Sequence, residues 1–296
     1  MKLFLHASVL LPEVVQWLDP KPGAVMVDGT LGACGHALRL LEKIGPEGRL
    51  IGFDKDPQAV KEAQKILKDF GGRVMIFHDN FKNIPSRLAG LNVKADGILL
   101  DLGVSSPQLD QADRGFSFKT AGPLDMRMNS EDTFTAKEIV NRYPEEKLAD
   151  IFWKYGEERY SRRIAQRIVE TRRSRSIDTT KDLESIIWQA VPSPARHGRI
   201  HPATRTFQAL RIEVNQEIQT LESFLSSFLD VLKVDGKVVI ISFHSLEDRL
   251  VKNFFRDYNR QGQGITLTKK PVVSSPQEID INPRSRSAKL RAFQKI

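Results

Sequence analysis

The residues with the most chemical character fall at the ends of short apolar runs. Asp28 closes the run Ala24-Val25-Met26-Val27, and Gly29-Thr30-Leu31-Gly32-Ala33-Cys34-Gly35-His36 follows it with glycine at every third position before a helical stretch. Glycine lets the backbone turn sharply and lets a ligand approach the main chain at a helix N-terminus, where N–H groups lack helical acceptors. The spacing is GxxGxxG, not the GxGxxG of dinucleotide-binding turns, and a plain strand-to-helix connection would use similar residues. Asp54 ends the next run, nineteen residues after Gly35. An acid there either accepts hydrogen bonds from ribose hydroxyls or acts as a second cap beside Asp56-Pro57, which opens the following helix. At the next run ends, His78-Asp79-Asn80-Phe81 offers polar and aromatic contacts for a purine, with Phe81 equally suited to the core. Asp101-Leu102-Gly103-Val104-Ser105-Ser106-Pro107-Gln108 makes a long polar loop. Ligands of open parallel sheets sit outside the carboxyl ends of the strands, so these segments together fit a nucleoside cofactor.

The elements that must position these groups alternate. Strand-like runs at Ala24 to Asp28, Arg49 to Phe53, Val74 to Phe77 and Ile98 to Asp101 are separated by helical stretches such as Leu38 to Ile44 and Pro57 to Phe70. That order predicts parallel βαβ units in a doubly wound, Rossmann-like α/β sheet. From about Arg114 to Arg205 apolar strands disappear, and helices are expected over Ala136 to Asn141, Glu145 to Tyr155, Ser161 to Thr171 and Leu183 to Ala190. Thr206 to Leu232 reads as one or two helices. Gly236 to Ser242 is an apolar, β-branched run that resumes the sheet. The expected organisation is a sheet domain from residues 1–113 and 206–296, with a helical domain, 114–205, inserted into it. Beyond Gln261 the basic, Gly/Ser/Pro-rich stretch reads as a basic arm or a solvated tail.

With 45 Lys and Arg against 37 Asp and Glu, the net charge is +8, which suits a polyanionic partner. The lone cysteine, Cys34, excludes an internal disulfide framework and points to the cytoplasm; no metal is expected, since His197 and His201 have no acidic or cysteine cluster around them. The apolar N-terminus, Met1 to Leu11, is interrupted by His6 and reads as an ordered segment, not a leader. No run approaches a membrane span. Seven arginines fall within the seventeen residues Arg159 to Arg175, and Arg159, Arg163 and Arg167 repeat every fourth residue, which favours contact with RNA phosphates over a plain solvated face.

The chain resembles the MraW family of ribosomal RNA small subunit methyltransferases. The resemblance rests on Asp28-Gly29-Thr30-Leu31-Gly32, Asp101 to Asp110, Arg114-Gly115-Phe116-Ser117-Phe118, Pro123 to Met128, Tyr155-Gly156-Glu157-Glu158, Thr206 to Arg211, Ile241 to Arg249 and Asn282 to Ser287, so it covers essentially the whole length. It implies a class I methyltransferase sheet with an inserted helical domain, S-adenosylmethionine as cofactor, and N4-methylation of a cytidine in the decoding region of small-subunit (16S) RNA, free or in the assembled subunit. Cofactor contacts carry over to Cys34, Gly35, His36, Asp54, Phe81, Asp101 and Gln108. Two departures stand out. Cys34 replaces the usual glycine, which is strained if its φ is positive. The strand-four loop also lacks the D/N/S-P-P-aromatic pattern of many amino-directed methyltransferases, so Asp101, Ser105 and His244 stand as candidate proton acceptors, with Ser106 beside them. Each also fits a purely structural or cofactor-binding part. An oxidoreductase, a catalytically silent RNA scaffold and a methyltransferase of DNA or small molecules are the rival readings. Assembly into a homodimer is left open.

Overall fold

A computed structural model describes residues 8–198 and 200–296. Residues 1–7, which carry most of the expected ordered N-terminal segment, lie outside the described residues. The chain divides into two compact units: the described residues up to Gly103 together with Ile218–Ile296, and Val104–Glu217.

The first unit is built on seven strands: β1 (Val25–Asp28), β2 (Arg49–Asp54), β3 (Val74–His78), β4 (Ala95–Asp101), β5 (Leu232–Ser242), β6 (Gly264–Thr266) and β7 (Lys289–Lys295). Their order is β3-β2-β1-β4-β5-β7-β6. β1 to β5 pair in parallel, and β7 runs antiparallel to both β5 and β6. The fold is thus the expected Rossmann-like α/β sheet. Strand residues alternate between two apolar layers. Met26, Leu50, Leu99 and Val239 pack on one side with the helices Leu11–Leu18 and Gly35–Ile44. Val27, Phe53, Leu100 and Val238 pack on the other with Leu88, Phe224 and Phe228. A chain that starts centrally, winds outward to β3 and returns to β4 reverses direction between β1 and β4, which opens a crevice at their carboxyl ends. Asp28 and Asp101 end those two strands. Asp28 pairs with Leu99 in register, so the alternation puts Asp28 and Asp101 on the same sheet face.

The second unit is helical: Ala136–Arg142, Glu145–Gly156, Ser161–Arg172, Thr180–Ala190 and Ala203–Asn215 surround a core that includes Ile139, Phe152, Ile164, Ile187 and Leu210. No helix among the described residues is long and apolar enough to cross a membrane.

Four expectations about local structure are corrected. The closing basic stretch is neither arm nor solvated tail, because Lys289–Lys295 is β7 and buries Leu290, Ala292 and Phe293 between β5 and β6. The helix expected over Pro57 to Phe70 stops at Ile66 and gives way to 3-10 turns that kink at Gly71, φ +58°. The helices expected within Thr206 to Leu232 begin at Ala203, break at Gln216 in the left-handed region, and end before Leu232, which belongs to β5. Arg159 precedes the helix that carries Arg163 and Arg167, and Arg172 turns inward to donate to the carbonyls of Val140 and Tyr143. The arginine repeat is therefore shorter than its spacing suggested.

Candidate active site

Side chains hold the glycine-rich turn at two points, and a third bond fixes Asp54 itself. Gly32 N–H donates to Asp54 Oδ2 at 2.8 Å, Asp56 N–H donates to Asp54 Oδ1 at 2.9 Å, and Asp101 N–H donates to the Thr30 hydroxyl at 2.7 Å. Asp54 thus locks the turn to the end of β2, and Thr30 locks it to the end of β4. Glycine is required at position 29, since a Cβ there would lie 2.3 Å from Leu100 Cδ2 and 3.2 Å from Phe81 Cβ. The Gly35–Ile44 helix starts without a side-chain cap. Its first amides, Gly35 and His36, have no acceptor within the helix and are the natural donors for an anionic or carbonyl group of a ligand. Cys34 N–H is already given to the Leu31 carbonyl at 2.7 Å.

Around this turn lie carboxylates whose burial is not offset. Asp28 is buried; Oδ1 accepts from Thr30 N–H, while Oδ2 meets no donor. Asp101 Oδ1 is likewise buried without a donor. Burial pushes the Asp28 carboxyl up to about 7, against the Thr30 hydrogen bond. Burial also holds Asp101 well above the usual carboxylate range, helped by the charges of Asp28 and Glu247. Asp54 is raised by burial too, although its two amide bonds oppose the shift. Acceptor-only groups left unpaired in a low-dielectric site are costly unless a ligand supplies the donors or the positive charge. Although the chain is basic overall, this site favours a cation.

His36 is buried, with Nε2 donating to the Val9 carbonyl at 3.0 Å and Nδ1 3.8 Å from Asp101 Oδ2. Its side chain therefore has a fixed structural partner, beyond the backbone contact expected of it. Phe81 sits half-buried at the start of a 3-10 turn, edge-on to Phe224 at 6.0 Å and against the apolar layer that holds Leu100. It belongs to the core on one side and leaves an edge for a ligand on the other. Asp79 is committed to Asn83 and Arg87, which help hold its carboxyl below the ordinary value despite some burial.

A model of the MraW methylase family matches residues 3–296. The chain belongs to the MraW methylase family. Curated relatives agree over their full lengths: "Ribosomal RNA small subunit methyltransferase H" of Heliobacterium mobile is 47% identical, with 99% of each chain covered. The protein of the same name from Geobacter sulfurreducens is 50% identical, again with 99% of each chain covered. Among solved structures, an rRNA methylase from Streptococcus thermophilus has a TM-score of 0.43 at 11% identity, covering 97% of this chain and 93% of that one.

In this MraW-family chain, Cys34 adopts φ +64° and is fully buried. Burial, aided by the charges of Asp28 and Asp54, pushes its thiol up to about 12, so it stays protonated and inert. The left-handed region is unfavourable for any residue with a Cβ by about 1–2 kcal/mol. Cys34→Gly loses one more buried carbon than Cys34→Ala, but only glycine relieves the strain, and at a positive φ the strain is the larger effect. The glycine variant is therefore expected to be the more stable by about 1 kcal/mol, reversing the usual order. Urea denaturation of the two purified variants checks this, and an alanine variant equal to or above the glycine one would refute it.

The two other predicted residues, Ser105 of the second unit and His244 of the first, are helix caps. Ser105 caps the short helix Ser106–Asp110: its hydroxyl accepts from Gln108 N–H, and Gln108 Oε1 accepts from Ser105 N–H. The Ser105 hydroxyl is thus already used as a cap, which makes it a poor proton acceptor. His244 caps the Ser245–Arg260 helix, with Nδ1 accepting from Glu247 N–H at 3.4 Å. His244 Nε2 lies 3.2 Å from Glu247 Oε1 but is buried outside hydrogen-bonding geometry. Two residues that sequence reasoning left without a role emerge here: Asp28, seen before only as a strand end, and Thr30, which ties the turn to β4. The signal for Asp28 was an acid closing an otherwise apolar buried run.

Asp28 also gives a pH signature. Its carboxyl binds a proton more tightly when folded, at about 7, than when unfolded, near 3.8. Its contribution to stability is therefore full below the unfolded value and is lost as pH rises through about 7. Asp28→Asn removes that loss, so its stability advantage over the native chain is expected to be larger at pH 8 than at pH 5. Parallel urea titrations at the two pH values test this; an equal difference at both would count against it.

Proposed function

We propose that this protein transfers a methyl group from S-adenosylmethionine to N4 of a cytidine in the decoding region of small-subunit ribosomal RNA. The observation that carries the reading is the pair of carboxylates, buried Asp28 and half-buried Asp101, at the carboxyl ends of β1 and β4 on one sheet face, each with a buried oxygen that meets no donor. They fit a cofactor that brings both hydrogen-bond donors and positive charge, which S-adenosylmethionine does. A dinucleotide, with its pyrophosphate, fits an acidic turn poorly. The choice of small-subunit RNA is supported by family membership and by the names of the full-length relatives.

When bound, the cofactor supplies a methyl group activated on a sulfonium. The Gly35 and His36 amides would receive its carboxylate or other acceptor atoms, Asp54 would hold the turn closed and meet ribose hydroxyls with its remaining lone pairs, and the exposed edge of Phe81 would face the adenine. Gln108 is held in place by its capping box. Direct displacement requires the cytosine amine to be held in line with the methyl carbon, and such positioning supplies a large part of the acceleration. Asp101 Oδ1 accepts a hydrogen bond from that amine, localises its lone pair and takes the proton as the bond to carbon forms. Because Ser105 and His244 are committed as caps, Asp101 is the proton acceptor of this reading. The target base must leave its stack to reach the strand ends. Exposed Arg162, Arg163 and Arg173 on and just after the Ser161–Arg172 helix suit the RNA phosphates.

The test is nucleoside mass spectrometry of small-subunit RNA from cells with and without the gene, repeated with purified protein and labelled cofactor. Loss of N4-methylcytidine without the gene, and its restoration by the protein, is the expected result. An unchanged level would sink the assignment.

A further inference from the structure

The Ser245–Arg260 helix takes no part in the chemistry above beyond its cap, yet it begins where the site lies. β5 ends at Ser242, one residue past the position that pairs with Asp101, and the helix starts directly after it and packs back along β5 and β7. Val251 and Phe255 bury its inner face against Phe228 and Phe293. Arg249, Lys252, Arg256 and Arg260 recur every three or four residues on the opposite face, and all four are exposed. At 1.5 Å per residue the stripe is about 17 Å long.

A solvated helix face usually matches its cations with carboxylates three or four residues away. Here two of the helix's three carboxylates are engaged elsewhere. Glu247 is buried, and its Oε2 accepts from the Phe243 and His244 amides. Asp248 turns toward β7 and holds Lys289 and Arg291. Asp257 alone reaches the stripe: its Oδ1 accepts from Arg256 at 2.9 Å and lies 3.9 Å from Arg260. Four cations of the helix thus share one of its carboxylates, and Lys252 with Arg256, and Arg256 with Arg260, repel across one turn. The Asp248 bonds also tie the start of β7 to the first turn of the helix. Lys289 lies opposite Ser242, so the preceding 3-10 turn Pro283–Ser287, with exposed Arg286, extends the basic surface at the carboxyl end of β5.

A row of like charges held at fixed spacing suits a partner whose opposite charges also come in a row. A small anion needs a concave site with converging donors, and a convex helix face offers none. An anionic membrane fits poorly, because a helix lies in a bilayer surface by inserting its apolar face, and here that face is in the core. A nucleic acid strand carries one charge at every phosphate along its length. We propose that the outer face of the Ser245–Arg260 helix, with Arg286 at its near end, is a track for the phosphates of the RNA strand that flanks the target nucleotide. The RNA rests on the function proposed above, whereas the preference for an extended polyanion does not. Phosphate contacts hold and orient a strand without touching the reacting groups, so the track sets how tightly RNA is held and not the rate of transfer once it is bound.

The experiment compares the native full chain with a helix variant, Lys252→Gln with Arg256→Gln and Arg260→Gln. A control variant, Lys61→Gln with Lys65→Gln and Lys68→Gln, removes the same charge beside β2 and β3 at the other end of the sheet. Fluorescence anisotropy of a labelled small-subunit RNA fragment, between about 50 and 200 mM salt, gives affinity and its salt slope. Steady-state methyl transfer gives KM and kcat, and calorimetry gives the affinity for S-adenosylmethionine. The helix variant is expected to bind the RNA at least about tenfold more weakly, with a salt slope shallower by about 2. KM for RNA should rise in step, while kcat and cofactor affinity stay within about twofold of native, the pattern of lost uniform binding. The control should bind RNA much as the native chain does. A helix variant no weaker than the control shows that only net charge counts and overturns the track. A lower kcat with unchanged RNA affinity also overturns it. Loss of binding to phosphatidylserine vesicles, with RNA affinity unchanged, would overturn the RNA partner and assign the face to membranes. If N4-methylcytidine proves independent of the gene while the helix variant loses RNA affinity, the proposed function fails and the track stands. The substituted side chains are exposed, so the fold is retained, and the unchanged cofactor affinity shows it.

Discussion

Asp101→Asn is expected to slow methyl transfer by about 10²–10⁴-fold while leaving the protein folded, the range associated with loss of a positioned proton acceptor. The substitution is a demanding test because asparagine keeps the size and one acceptor oxygen but cannot take a proton. Stability is not expected to fall. Burial already disfavours the Asp101 anion, so a neutral side chain of the same shape removes a desolvation cost. The native enzyme should also speed up as pH rises, since the acceptor must be ionised to act and its carboxyl lies well above the usual range in the ligand-free protein. The asparagine variant should lose that pH dependence. Single-turnover transfer of labelled methyl to small-subunit RNA between pH 6 and 9 measures both effects. A loss below about tenfold, with the pH profile unchanged, would remove Asp101 from proton transfer and leave it a cofactor contact.

The second large effect concerns β7. Arg291 is buried in the middle of this strand, opposite Ile240 of β5, and donates through Nε to Asp248 Oδ1 at 2.7 Å. Asp248→Ala strands that guanidinium in the core, and removing one partner of a buried pair typically costs about 3–5 kcal/mol. Because Asp248 is 14% exposed at its side chain, we expect the lower end, about 3 kcal/mol. Replacing both partners by apolar residues, Asp248→Leu with Arg291→Met, should recover most of the loss, since an uncompensated charge is what costs stability. Thermal and urea unfolding of the native, single and double variants form the test. A single variant within about 0.5 kcal/mol of the native chain would show that water reaches Arg291 and solvates it.

Much of the cofactor half was legible before any coordinates. The glycine spacing before a helix, Asp54 nineteen residues on and the polar loop after β4 follow from rules that act over a few residues. The structure then gave Asp54 a sharper part: both its oxygens accept from backbone amides, so it builds the turn. Ser105 and His244 were equally legible as polar residues at loop ends, but their hydroxyl and imidazole are spent on capping boxes, which a list of types and positions leaves open. Strain at Cys34 depends on the sign of its φ, which only the folded backbone sets.

The amino-acid sequence by itself determined the alternation of β runs and amphipathic helices, the helical character of the middle third and the family to which the chain belongs. Hydrophobic period, turn chemistry and motif order are local and are written in consecutive residues. The tertiary structure alone decided that the basic closing stretch is a buried strand, and that Asp28 and Asp101 share one face with unanswered oxygens. It also decided that Asp248 turns to β7, which leaves Lys252, Arg256 and Arg260 with a single carboxylate of their own helix. The physical reason is common to all three. A charged residue reads as solvated until the fold shows what it pairs with, and burial is set by partners that lie dozens to hundreds of residues away.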